Sequence, residues 1–227
     1  ELNDNEEQRK MLYKYKSTAS LLTNNAARNV YVPLKFWFCN NPGLALPLIA
    51  LQYHEIDIKL TFRSLAQLVK SDAALSSPSG SITSAELLVD YIYLDTDERR
   101  RFAQATHEYL ITQMQHTGSE NVSATATTKS VDLTINHPVK ALYWVFRTNI
   151  NSAQNAITGN NYFTYSNSSG AKQITDVELL LNGQNRFRKQ DEDYFRLVQQ
   201  KNHFNRISDK YVYSYSFALK PLEHQPS

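Results

Sequence analysis

Alternation of apolar and polar residues is the dominant rhythm of this chain. In HEIDIKLTF, residues 54–62, the apolar positions are Ile56, Ile58, Leu60 and Phe62, with Glu55, Asp57, Lys59 and Thr61 between them. Successive side chains of a strand point to opposite faces, so this spacing predicts a strand with one wet face. SVDLTI repeats the pattern through Val131, Leu133 and Ile135. YVYSYSFAL places Tyr211, Tyr213, Tyr215, Phe217 and Leu219 on one face and Ser214 and Ser216 on the other. LLVDYIYL and ALYWVFR are apolar on both faces, as strands inside a sandwich are. The run LALPLIAL after Pro42 also reads as a buried strand approach. A membrane helix needs about 20 consecutive apolar residues. This run is far shorter and holds Pro47, so no transmembrane segment is predicted.

Helical signals are few. Residues 6–22 carry helix formers with acidic residues at the front. Asp95 is placed to cap a turn through Glu98 and Arg99–Arg101, and the stretch from Asp191 to Val198 is a further short candidate. Asn182-Gly183, between LLL and QNRF, is a strong tight-turn signal. TGSENVSATATTK, residues 117–129, has no apolar rhythm and reads as a linker. Residues 71–84, also polar, read as a surface loop. An aromatic stretch precedes Pro42 and Pro47, and another precedes Pro221 and Pro226, with the same P-x-x-x-x-P spacing each time. That recurrence suggests two related domains on either side of the linker.

Composition narrows the function classes. The formal net charge is +2, too small to point to nucleic acid or a membrane surface. A single cysteine, Cys39, excludes an internal disulfide and fits a reducing compartment. It follows Phe36, Trp37 and Phe38, which predicts a buried thiol. The opening ELNDNEEQRK has neither a basic nor an apolar region, so it is not read as a signal peptide, and both ends read as cuts within a longer protein.

No constellation for catalysis, metal or cofactor survives inspection. His54-Glu55 and His107-Glu108 begin like a zinc-protease helix, but the second histidine is replaced by Ile58 and Ile111. Those histidines are expected to face solvent or to be hydrogen-bonded. Asp95-Thr96-Asp97 begins like a calcium loop, but Arg99 and Arg100 occupy the next ligand and glycine positions. Arg99, Arg100 and Arg101 are expected to be neutralised by Asp95, Asp97 and Glu98. With only 6 glycines there is no phosphate-cradling loop, and no G-x-S-x-G elbow occurs. The six histidines (54, 107, 116, 137, 203 and 224) are scattered, against a cupin-like enzyme. Two N-x-S/T sequons make Asn121 and Asn167 the candidate glycosylation positions. No catalytic, cofactor-binding or metal-binding residue is expected, and the chain is not expected to be an enzyme.

Several long blocks resemble the major capsid proteins of nucleocytoplasmic large DNA viruses, those of algal viruses and iridoviruses among them. They are YVPLKFWF with PGLALPLIALQYHEIDIKL, DYIYLDTDERRRFAQATHEYLITQMQ, INHPVKALYWVF, LLLNGQNRF and YVYSYSFALKPLEHQPS. The resemblance implies an all-β double jelly roll, two eight-stranded antiparallel sandwiches in tandem, of which this chain is the middle part. Residues 1–116 would be the later part of the first roll, 117–129 the linker, and 130–227 the earlier part of the second. It implies a structural role: a homotrimer forming a pseudo-hexagonal capsomer that tiles an icosahedral shell. Neighbouring capsomers and minor capsid proteins would be the partners, with no direct nucleic-acid contact. The setting would be the virion, assembled in a reducing compartment of the infected cell. Aromatic-rich loops such as residues 160–170 would lie on the outer surface or between subunits. The competing reading is a carbohydrate-binding jelly-roll surface or spike module, with tyrosines stacking on sugars. Against it stands the expectation that most aromatics face the core.

Overall fold

The computed structural model describes residues 29–68, 80–152 and 161–224. The predicted helix at 6–22, most of the loop at 71–84 and Pro226 lie outside the described residues. Within them the chain is mostly non-helical. Strands β1 (Ala141–Val145), β2 (Asp176–Val177), β3 (Leu180–Leu181), β4 (Gln184–Asn185), β5 (Gln190–Asp191) and β6 (Val212–Ser216) form two-stranded antiparallel sheets in the second half. The helices are α1 (Leu65–Leu68), α2 (Thr96–Gln104), α3 (Asn149–Ser152) and α4 (Gln199–His203). A π-helical turn, Tyr194–Val198, leads directly into α4. The helix expected to end at Val198 therefore continues to His203, with Lys201 and His203 in its last turn, where cations suit the helix dipole.

The core gathers on β1 and β6. Ala141 pairs with Ser216 and Trp144 with Tyr213. In β1 the alternation holds, with Leu142 and Trp144 half-buried while Tyr143 and Val145 are exposed. β6 differs from its sequence reading, because Ser214 and Ser216 are as buried as Tyr213 and Tyr215. The reason is the helix laid against it. Gln200 Nε2 donates to the Val212 carbonyl at 2.6 Å and Gln199 Oε1 accepts from the Ser216 N–H at 3.1 Å. Two side chains of α4 thus bond to β6 backbone groups that a neighbouring strand would otherwise take, one way of protecting a strand edge. Phe195 fills the centre. Its ring lies 5.4 Å from Trp144, 5.5 Å from Phe187 and 5.1 Å from Tyr194. Tyr213 and Tyr215 complete the cluster.

Local signals are realised where they depend on few residues. Asn182 (φ 51°) and Gly183 (φ 78°) turn β3 into β4, with Leu181 facing Gln184. Positive φ at both central residues is what this hairpin turn demands. Asp95 Oδ1 accepts from the Glu98 N–H at 2.8 Å and caps α2. The 117–129 segment is exposed and closed at its base. Gln115 donates to the Asn136 carbonyl at 2.8 Å and accepts from the Asn136 N–H at 3.0 Å.

Other expectations are corrected. Among the described residues no ladder forms in HEIDIKLTF, LLVDYIYL or SVDLTI, and Ile56, Leu60, Phe62, Leu88, Val131 and Leu133 are exposed. Alternation decides which side chains share a face, whereas a strand also needs a second segment to receive its backbone bonds. The apolar run after Pro42 coils rather than extends. The Ala50 N–H donates to the Pro47 carbonyl at 2.9 Å and the His54 N–H to the Leu51 carbonyl at 3.0 Å. Proline presets a turn backbone at Pro47, and two successive turns follow. Cys39 is free and exposed rather than buried. It ends the 3₁₀ turn Trp37–Cys39, in which Trp37 packs on Tyr109 and Phe36 stacks on Phe38, so the aromatics pack with other rings and leave the thiol outside.

Candidate functional site

A cluster of charges is built where β5 meets the π-helical turn. Asp191, Glu192 and Asp193 bring carboxylate oxygens within 4.8 Å of one another. Glu192 is 1 % exposed. Lys172 Nζ stands 3.5 Å from Glu192 and 3.9 Å from Asp191. Arg196 reaches Glu192 at 3.6 Å and Asp193 at 2.8 Å. The Arg196 hydrogen bond holds the Asp193 carboxyl below its usual range. Two cations thus sit on three acids, and the arrangement pins the turn to the strand. In sequence this acidic run reads only as the start of a helix, because Lys172 is remote in the chain.

Tyr213 lies beside this cluster. Its hydroxyl is buried beside the Glu192 carboxylate. Burial, and then the negative charge of Glu192, push its pKa well above the usual tyrosine value. The folded state therefore keeps its proton where the unfolded chain, with a tyrosine pKa of about 10, releases it. Stability from this group is complete below pH about 10 and falls as pH rises above it. Tyr213→Phe is expected to lessen that alkaline loss. Urea midpoints across the alkaline range check this, and an alkaline limb identical in both proteins would contradict it.

A second constellation joins distant parts of the chain. Arg63 Nη1 donates to the Tyr162 hydroxyl at 3.0 Å. The Arg147 guanidinium carbon lies 4.0 Å from the centre of the same ring, and that of Arg63 5.1 Å from it. The Arg147 guanidinium, and then that of Arg63, hold the Tyr162 hydroxyl below its usual pKa. A cavity of about 440 Å³ lies elsewhere, lined by Arg101, Phe102, His107, Glu108, Tyr109 and His224 among others.

The residues singled out from sequence fall as follows. His54 is exposed, and His107 Nε2 lies 2.7 Å from the Phe102 carbonyl. Ile111, in the position a second zinc ligand would need, is exposed. Arg100 pairs with Asp97 at 3.5 Å on the open surface of α2. Asn121 is exposed in the 117–129 segment. Asn167 is engaged by its own loop, its Oδ1 accepting from the N–H groups of Ser169 (2.9 Å) and Ala171 (2.8 Å). The aromatics divide. Phe195, Phe204, Tyr213 and Tyr215 are buried, whereas Tyr53 is 94 % and Tyr93 91 % exposed, against the expectation of core-facing positions. No helix of the described residues is long and apolar enough to cross a membrane.

Comparison with known proteins gives a consistent picture. The family model for the major capsid protein N-terminus matches residues 1–95. The model described as large eukaryotic DNA virus major capsid protein matches residues 98–227. The chain is 43 % identical over 224 residues to the major capsid protein of Pyramimonas orientalis virus, covering 88 % of this chain and 50 % of that one. It is 38 % identical over 242 residues to the major capsid protein of Paramecium bursaria Chlorella virus 1, covering 95 % and 55 %. The quasi-atomic model of the PBCV-1 virus capsid superposes with a TM-score of 0.64 at 33 % identity, covering 97 % of this chain and 61 % of that one. The chain spans about half the length of these curated relatives.

Proposed function

This chain belongs to the large eukaryotic DNA virus major capsid proteins, and from that premise we propose that it builds an icosahedral shell as a homotrimeric, pseudo-hexagonal capsomer. Its fold is a double jelly roll of two eight-stranded sandwiches, divided by the 117–129 segment. Its role is structural rather than enzymatic. Its partners are copies of itself, neighbouring capsomers and minor capsid proteins. Its place is the virion, after assembly in a reducing compartment of the infected cell, where the free Cys39 thiol persists unpaired.

The observation that carries this reading is the set of apolar side chains left open in the first half. Ile56, Leu60, Phe62, Leu88, Tyr91 and Tyr93 are all exposed. Apolar side chains left in water are stabilised when a partner covers them. Further strands of the same roll and neighbouring copies are the natural cover, and obligate interfaces of this kind bury about 2,000 Å² or more. Heterologous contacts that close around an axis give a ring.

The test is the mass of the full-length protein by size-exclusion chromatography with light scattering. A trimer that persists on dilution is expected. A folded monomer that stays monomeric at high concentration would refute the proposal. Saturable binding of that monomer to a glycan panel would then favour the carbohydrate-binding alternative.

A further inference from the structure

Arg63 and Arg147 converge on one tyrosine, and that convergence has no electrostatic resolution among the described residues. Two guanidinium groups flank the Tyr162 ring at 4.0 and 5.1 Å. Like charges held this close repel. The ring face offsets part of this through cation–π attraction. Elsewhere in the fold, closely set charges are answered by opposite ones, as Lys172 and Arg196 answer Glu192. Here no carboxylate among the described residues pairs with either arginine. Each guanidinium carries five N–H donors in a planar fork, a geometry suited to oxyanions. Arg63 spends one donor on the Tyr162 oxygen. A tyrosine hydroxyl can donate as well as accept.

The surroundings hold this geometry in place. Gln173 Nε2 donates to the carbonyls of Phe146 (3.1 Å) and Tyr165 (2.9 Å), fixing the strand end beside Arg147 to the loop that carries Tyr162. The Thr164 N–H closes the Tyr162 turn on the Asn161 carbonyl at 2.9 Å, and Asn151 Nδ2 donates to the Thr164 carbonyl at 3.4 Å. A site held by bonds outside itself loses little freedom when a ligand arrives.

We propose that Arg63, Arg147 and Tyr162 form a binding site for a tetrahedral oxyanion of the phosphate or sulfate class. Both guanidiniums lie near the ring, and Arg63 also reaches its hydroxyl. Three such donors suit an anion with three or four oxygens better than a planar carboxylate. The bound anion also neutralises the two cations and ties Arg63, from the first half, to Tyr162 and Arg147, from the second.

Isothermal titration of the full-length protein with inorganic phosphate tests this, at ionic strength held constant with chloride. One saturable site per chain is expected, with sulfate binding comparably and acetate more weakly. Arg147→Gln and Arg63→Gln are each expected to weaken binding about tenfold or more, the usual size of a lost charge-assisted bond. Arg63→Lys, which keeps the charge and loses the fork, should fall between. Absence of saturable binding in the unmodified protein overturns the site, as does binding unchanged in both folded glutamine variants. Acetate binding as tightly as phosphate overturns the assignment of the ligand class.

Discussion

Phe195→Ala is expected to cost about 3–5 kcal/mol, the range for truncating a buried aromatic. Phe195 is 0 % exposed and stands at the centre of the aromatic cluster. It touches β1 through Trp144, the β4–β5 connection through Phe187 and its own turn through Tyr194. Two of these contacts reach distant segments, so truncation leaves a cavity between them. The cavity term therefore adds to the lost transfer energy. A loss of this size is a large share of the roughly 5–15 kcal/mol that ordinarily stabilises a domain. Urea unfolding of the full-length protein, followed by tryptophan fluorescence, reads it directly. Phe195→Leu, which keeps most of the volume, should recover much of the loss. A shift below about 1 kcal/mol for the alanine variant would mean that this cluster does not hold the second half together.

Gln200→Leu is expected to cost about 2–4 kcal/mol although it makes the side chain more apolar, because two backbone groups lose their partners. Gln200 is 0 % exposed. Its Nε2 donates to the Val212 carbonyl at 2.6 Å and its Oε1 accepts from the Ser208 N–H at 2.8 Å. Leucine leaves that carbonyl and that N–H unsatisfied in the interior, and each carries its own desolvation cost. The hydrophobic gain from a leucine of similar size is smaller than the sum. Loss of the first bond also opens the edge of β6, and an open edge invites pairing with another chain. The variant should thus show a lower urea midpoint and more aggregation on refolding. A midpoint equal to that of the unmodified protein would show that water replaces the carboxamide, and the buried bridge would be the wrong account of β6.

Features written into neighbouring residues are legible in the amino-acid sequence alone. The Asn182-Gly183 turn, the Asp95 cap and the inward tyrosines of β6 each rest on a local backbone preference or a short periodicity. The blocks resembling capsid proteins are legible in the same way, and the family matches bear them out. The cap and the contact of His107 with Phe102 are foreseeable because each involves groups a few positions apart.

What depends on distant partners cannot be read this way. Nothing in ALYWV names VYSYS as its partner, yet Ala141 faces Ser216. Gln199 and Gln200 look like polar surface residues until β6 places a carbonyl and an N–H in front of them. Cys39 follows three aromatics, and its exposure is decided by Trp37 turning toward Tyr109 instead. Arg63 and Tyr162, 99 positions apart, meet only in the folded chain. Local order costs few degrees of freedom and is encoded where it occurs. Long-range pairing requires loop closure and mutual burial, and its geometry belongs to both partners at once.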